Sequence, residues 1–414
     1  MKKSNNISYT VKHDLCTGCG VCVSACPNNA IQMTVKDGRF VPHITEDLCK
    51  NGKGCHRCYD TCAGIGIDLC ERSHFHYNDT DTKENTLAGR YLHCFVGHSN
   101  DAFLREKAAS GGALSQFLIW LLENKKIDGA IVTCFVKEAP LKVKCHIARS
   151  KEEVVSSIGS KYGPVSLHDV LPLIKKSKGN RFVLVGLPCH IHSMRKLASI
   201  DKSINEKIVG MFSLFCSGSQ TFNYTEYILK QCGGNTKELE YLAYREGSPT
   251  GMIAKGKGFN FFKEYGKYNM PLKSTFYPRR CLLCVDMFGE LADINFGDIH
   301  IEEHNISGTG INGIIVRSHY WLNLLEEAYN DDSIDLREIS IERMLKRRMM
   351  AKAKKERNAS FVRLLHAIHC PAPIYDSSFM SSLSIKYIVR YNIMRIKQYI
   401  GKHKQLWFLL PKIK

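Results

Sequence analysis

A chain of 414 residues, 44% hydrophobic and 24% charged, has the balance of a globular protein of two or three domains with room for a sizeable core. Its formal net charge of +18 is lopsided: residues 341–414 hold 17 Lys and Arg against three acids (Glu342, Glu356 and Asp376), so the body is nearly neutral and only the last part asks for a partner explanation. No apolar run approaches the roughly 18–20 residues of a membrane span, and residues 1–15 lack the apolar core of an export signal. A cytoplasmic setting is therefore expected, in which the 18 cysteines are metal ligands or redox groups rather than disulfides.

Three regions follow in chain order. Residues 1–85 are cysteine-rich, short on long helices and internally repeated, each half carrying one cysteine cluster. The first cluster is followed by a strand-like segment at 30–35, and the polar, acidic residues 78–85 read as a linker. Residues 86–340 alternate. The apolar spacing of 112–124 predicts a helix, and 129–136 a buried strand. Strands are predicted at 181–186 and 208–215, with helices at about 190–198 and 224–231, the last stopped by Gly233-Gly234. Such alternation predicts a largely parallel sheet with covering helices. Residues 341–414 form a basic helical tail, with a helix at 384–400 that shows no clean apolar face.

The first cysteine run is Cys16-x2-Cys19-x2-Cys22-x3-Cys26-Pro27. Three closely spaced thiolates wrap three corners of a 4Fe–4S cube, and the fourth points away to the other cluster. Gly18 and Gly20 permit the tight turns this requires. The second run, Cys49-x5-Cys55-x2-Cys58-x3-Cys62, departs twice: its first spacer is five residues, and Ala63 stands where proline is usual. The expected ligand sets are Cys16, Cys19, Cys22 and Cys62 for one cluster, and Cys49, Cys55, Cys58 and Cys26 for the other. Structural zinc is the competing reading, but it favours C-x2–4-C with a remote second pair. Cys70 falls outside the pattern and is expected to be a plain buried cysteine.

Three later stretches share one resemblance. They are Gly97-His98-Ser99-Asn100-Asp101 through Arg105 and Ser110-Gly111-Gly112 to Leu122-Glu123; Ser160-Lys161-Tyr162 with Gly186-Leu187-Pro188-Cys189-His190; and Cys281-Leu282-Leu283-Cys284-Val285-Asp286 with Ala292-Asp293 and Gly297-Asp298. Together they resemble the coenzyme F-420 hydrogenase/dehydrogenase beta-subunit family, in the version with a ferredoxin domain fused in front, over about residues 10–320. The resemblance implies an α/β flavoprotein that holds FAD with a further 4Fe–4S cluster beside it. It also implies a substrate that varies between members.

The expected architecture is thus an α+β ferredoxin-like N-terminal domain (1–85), an α/β flavoprotein domain (86–340) and a basic helical C-terminal tail (341–414). Ser110 is positioned to cap the next helix, Gly111 and Gly112 to admit a pyrophosphate at its N-terminus, and Arg105 to add charge; an ordinary capped helix is the alternative. Ser160, Lys161 and Tyr162 match a stretch near the flavin, with Lys161 as candidate catalytic cation or, alternatively, a solvated lysine. Gly297 and Asp298, with Asp293, are expected near the flavin or the third cluster. Cys189 precedes a helix, Cys216 ends a strand, and Cys281-x2-Cys284 follows two arginines. Strand ends of an open α/β sheet converge on one edge, so these four are the expected ligands of a third cluster. Cys94, Cys134, Cys145, Cys232 and Cys370 are read as small buried hydrophobes.

The function expected is an oxidoreductase passing electrons between ferredoxin-type clusters and FAD, with ferredoxin or another redox protein and a small-molecule substrate as partners. The alternative is a wiring subunit without its own substrate. For the tail, docking on another subunit, peripheral contact with a membrane surface and, least favoured, nucleic acid remain open.

Overall fold

A computed structural model describes residues 5–247, 249–299, 310–346, 349–376 and 384–413. At the N-terminus, Asn6 accepts a hydrogen bond from the Ser8 amide and so caps the helix Ile7–Lys12. The hairpin β1 (Ile31–Lys36) and β2 (Arg39–Ile44) pairs Ile31 with Ile44 and Lys36 with Arg39. Asp37 and Gly38 turn it, both at positive φ, as a two-residue hairpin turn demands. Short helices Val21–Ala25 and Arg57–Asp60 carry cysteines of the two runs. The expected linker instead contains β3 (Lys83–Asn85), paired with β4 (Gly89–Tyr91).

The body is an eight-stranded sheet built from β5 (His93–Ser99), β6 (Gly129–Val136), β7 (Ala139–Ala148), β8 (Phe182–Gly186) and β9 (Ile208–Leu214). A separate antiparallel meander follows: β10 (Leu239–Glu246), β11 (Gly251–Gly256) and β12 (Phe259–Glu264). The large sheet is completed by β13 (Ile294–Asp298), β14 (Asn312–Val316) and β15 (Ile334–Glu338), in the order β15-β5-β14-β13-β9-β8-β6-β7. Only β13, β9, β8 and β6 run parallel; antiparallel strands close both edges, so the expected parallel sheet is confined to the centre.

Alternation sorts the central strands onto two cores. Val183, Phe212 and Phe296 meet helices Ala113–Glu123 and His319–Asn330 on one face. Ile131, Leu184 and Met211 meet helices Val170–Lys176 and Pro188–Ala198 on the other. Burial on both faces is why these strands read as unbroken apolar runs. Phe212 stacks on Phe117 and meets Trp321 edge-on, with centroids 5.8 and 4.9 Å away. Each such buried aromatic contributes roughly 1.5–3 kcal/mol.

The cysteine-rich region docks on the second face, where Cys19, Val21, Ala25, Ile67 and Leu69 join the core. Gly20 makes that approach possible: its φ is +77°, and a Cβ there would lie 2.2 Å from Ser166 Oγ. The C-terminal region folds back over the same junction. Helix Ala359–Ala367 and helix Ile385–Lys402 pack Phe361, Val362, Leu365 and Tyr391 against Leu15, Leu282 and Leu283. Trp407 and Leu410 enter the core of the meander, while Ile385, Val389, Ile393 and Ile396 remain exposed. No helix among the described residues is long and apolar enough to cross a membrane.

Candidate redox centres and the crevice beside them

The cysteines of the two N-terminal runs fall into compact sets because short helices and turns hold them. Cys16, Cys19, Cys22 and Cys62 face one another, and Cys58 faces Cys26, Cys49 and Cys55. Burial first, then the neighbouring thiols, pushes Cys16 up to about 12; burial raises Cys58 to about 11 and Cys22 well above its ordinary value. Crowded thiols of this kind resist ionisation unless cationic iron sits among them. Amides already point at the sulfurs: Gly18 N–H donates to Cys16 Sγ at 3.4 Å, Gly64 to Cys62 at 3.2 Å and Ala30 to Cys26 at 3.3 Å. A hollow of about 330 Å³, including its mouth, opens among Cys26, Cys49, Cys55 and Cys58. Among the described residues, no three His, Cys, Asp or Glu side chains converge tightly enough for a single metal ion. The amides aimed at the sulfurs and the hollow among them fit an iron–sulfur cluster.

Both departures of the second run have a structural reason. The long spacer folds into a 3-10 turn, Asn51–Lys53, closed by left-handed Gly54, which returns Cys55 to the group. Ala63 keeps an N–H that proline lacks and donates it to Ser193 Oγ at 2.9 Å. Ser193 belongs to helix Pro188–Ala198, and Cys19 Sγ also donates to its hydroxyl, at 3.5 Å.

Cys189 is the second residue of that same helix, one turn before Ser193. It faces Cys216, Cys281 and Cys284, and also Cys19 across the junction. Burial pushes Cys216 up to about 12, and the amide of Gly218 opposes this by bonding to it. Cys281 lies in the short helix Arg279–Leu282. The adjacent Arg280 is buried and donates to the carbonyls of Ala63 and Gly64, tying this segment to the Cys62 loop. Lys196 Nζ likewise donates to the Cys62 carbonyl at 3.1 Å.

The basic stretch from residue 346 corrects one expectation. Lys354, Lys355 and Arg357 are buried instead of facing a lipid or a partner protein; Arg347 and Arg348 lie outside the described residues. A π-helical turn, Lys354–Asn358, aims them inward. Lys354 Nζ donates to Cys284 Sγ at 3.4 Å and to the Asp286 carbonyl at 2.8 Å. Lys355 pairs with buried Glu290, and Asn358 donates to the Cys284 carbonyl at 2.8 Å. Buried thiols and a carboxylate draw Lys354 and Lys355 in, a pairing that charge composition alone does not reveal.

Beyond the Cys189 group lies a cluster of polar and aromatic side chains. Ser110 does not cap the following helix: its hydroxyl donates to Asp298, the N-cap is left-handed Gly112, and Asn312 accepts the Ala113 amide at 3.0 Å. Gly111 and Gly112 serve the turn itself, since a Cβ on them would come within 2.9 Å of the carbonyl oxygens of Gly310 and Leu104 respectively. Asp298 ends β13 and also pairs with Arg245. Arg245 lies over Tyr265 at 5.6 Å, and Tyr162 packs against Tyr265 at 6.0 Å. Tyr265 in turn faces Tyr277, which faces Cys216 and Cys281. Arg245 Nε is buried without a hydrogen-bond partner among the described residues.

Ser110, Tyr162 and Asp298 are thus brought together. Lys161 is engaged elsewhere, donating to the carbonyls of Ser157, Ile158 and Gly159 at a helix end; burial lowers it to about 8. Ser160 adjoins this cap in sequence, and Gly297 packs so closely on Phe215 that a Cβ would lie 2.2 Å from the ring. Arg105 sits near Asp335, Arg337 and His98, outside the Arg245 set. Asp293 joins another buried set, accepting from Arg195 at 2.9 Å and from the Met211 amide at 2.8 Å. Sequence reasoning missed Arg245, Tyr265 and Lys354; the one available signal was an arginine ending the alternating run 239–246. Cys70 and Cys370 are exposed, contrary to expectation, since Cys70 faces away from the buried Leu69 and Ser73 of its helix and Cys370 lies past a helix end.

Residues 9–32 match a 4Fe-4S binding domain, which makes the chain an iron–sulfur redox protein. Residues 94–172 match the N-terminal part, and residues 179–342 the C-terminal part, of the coenzyme F420 hydrogenase/dehydrogenase beta subunit. The chain belongs to that beta-subunit family. It is 23% identical over 372 residues to the coenzyme F420-dependent sulfite reductase of Methanocaldococcus jannaschii, across 85% of this chain but only 52% of that relative. The chain therefore spans about half the length of that reductase. The coenzyme F420 hydrogenase subunit beta of Methanosarcina barkeri is 26% identical over 226 residues, 52% of this chain and 73% of the relative. A chain of the F420-reducing [NiFe] hydrogenase complex of Methanosarcina barkeri shares the fold, with a TM-score of 0.56 at 19% identity over 69% of this chain and 96% of that one.

Proposed function

We propose that this oxidoreductase moves electrons along three 4Fe–4S clusters in series and exchanges them with FAD held at the Ser110, Tyr162, Arg245 and Asp298 side chains. The observation that carries the reading is the continuity of the cysteine groups. Cys22 faces both the Cys16 and the Cys58 sets, and Cys189 faces Cys19 from one helical turn before Ser193. When bound, clusters supply one-electron steps and a flavin converts them to a two-electron, hydride-type step.

The chain's own residues order and tune these centres. Cys16, Cys19, Cys22 and Cys62 are the ligands assigned to one cluster, Cys26, Cys49, Cys55 and Cys58 to a second, and Cys189, Cys216, Cys281 and Cys284 to a third. Lys354 offsets the charge of the last set. Arg245, fixed by Asp298 and Tyr265, offers its remaining donor to the flavin. Lys161 acts in this reading as a helix-end cap.

A redox protein is the proposed partner, since relatives carry the names of hydrogenase subunits. Those names make coenzyme F420, alongside reduced ferredoxin, the first electron donor to try. The test is anaerobic purification of the full chain. Roughly twelve irons, matching acid-labile sulfide and about one FAD per chain are expected, and Cys189→Ser should cost about four irons. Stoichiometric zinc without labile sulfide would refute the reading.

A further inference from the structure

A second hollow, of about 720 Å³ including its mouth, lies between helix Ile385–Lys402, the π-helical turn and the loop that precedes Cys281. The space free for a guest is about 200 Å³, less than a drug-sized pocket but enough for a small anionic group. Four cations line it: Lys273, Arg357, Arg390 and Lys397. No Asp or Glu is among its described lining residues, and its wall includes Tyr277 and Cys281.

Arg357 is only 8% exposed. Its guanidinium donates to Asn358 Oδ1 and lies over the Phe361 ring at 5.7 Å, and neither partner carries charge. Burial and then Arg390 pull Arg357 down to about 10; burial, Arg357 and Arg390 together lower Lys273. Cations gathered round a concave space without a carboxylate repel one another, and an anion relieves that repulsion. Arginine forks match phosphate oxygens in pairs. Three of the four cations lie beyond residue 342, where the family match ends, while Lys273, Tyr277 and Cys281 lie within it.

We propose that this hollow binds the phosphate or diphosphate group of a small molecule, held by Lys273, Arg357, Arg390 and Lys397 beside Cys281. The proposal deepens the function given above and rests on it only for placing the anion next to a redox centre. Two sources share this chemistry: the diphosphate of the flavin dinucleotide, and a separate phosphorylated substrate.

The test is calorimetric titration of inorganic pyrophosphate into the full, anaerobically purified chain. Saturable binding is expected. The double variant Arg390→Glu/Lys397→Glu, at two exposed positions, should weaken it about tenfold or more. Lys142→Glu, exposed on β7 and outside the hollow, should leave it unchanged. Displacement of pyrophosphate by FAD, with flavin lost from the double variant, would assign the hollow to the flavin. Simultaneous binding of both would assign it to a substrate. Absence of saturable binding both before and after release of the bound flavin, or equal weakening by Lys142→Glu, would overturn the proposal. Iron and sulfide measured on the same samples keep that failure separate from failure of the cluster reading, which would show as a chain without labile sulfide.

Discussion

Replacing Lys354 by Met removes one buried positive charge beside the Cys284 group while keeping most of the side-chain volume. Lys354 Nζ lies 3.4 Å from Cys284 Sγ, and Cys216 and Cys281 also attract it. If the proposed third cluster is bound there, a separation of about 6 Å between the ammonium and its charge, at an effective dielectric of about 20, would be worth about 3 kcal/mol. For a one-electron couple 59 mV corresponds to about 1.4 kcal/mol, so the charge raises the midpoint by about 120 mV at most. The Asp286 carbonyl shares the ammonium and reduces the effect. Since reduction adds negative charge, losing the cation must lower the midpoint, and we expect Lys354→Met to shift it down by about 60–120 mV. Lys354→Arg should hold it near the parent value. The assay is a redox titration of the full chain followed by electron paramagnetic resonance, with iron content checked in each variant. A change under about 20 mV, barely a twofold effect on the equilibrium, or any upward change would refute the reasoning.

Two further outcomes test the junction. Ala63→Pro removes the N–H that Ser193 accepts, at the first position of a 3-10 turn where proline is otherwise tolerated. It should cost about 1–2 kcal/mol in denaturant unfolding and loosen the cysteine-rich region, read as faster proteolysis near residues 78–82. Undiminished stability would show that the bond does not hold the junction. His76 is pulled to about 3, chiefly by burial and then by Arg195 and Arg72, against an unfolded value of about 6.5. Its neutral form is the one the fold accepts, so its contribution is intact above pH 6.5 and is lost as pH falls toward 3. His76→Gln should therefore flatten the loss of stability between about pH 7 and about pH 5, and an unchanged slope would remove His76 from the account.

What the sequence revealed and what it hid divide by the range of the interactions. The run Cys16–Cys26 is legible because its ligands sit within eleven residues, where spacing nearly fixes geometry. The central strands are legible because burial on both faces leaves continuous apolar runs, whereas the edge strands and the meander pair antiparallel through contacts that local pattern does not encode. Ser110 illustrates the failure of a local rule: a serine before a helix is a plausible cap until Asp298, 188 residues away, takes its hydroxyl. The basic tail fails in the same way. Its charge is plain in the sequence, but whether a lysine faces water or thiolates depends on a helix folding back from residue 354 to residue 284. Ala63 combines both lessons. Its departure from the usual proline is visible at once, yet it acquires meaning only when Ser193 arrives, on the helix that carries Cys189, to accept the N–H that a proline would have removed. The irregularity in this cysteine run thus marks where another part of the chain docks, and that docking joins two of the three cysteine groups.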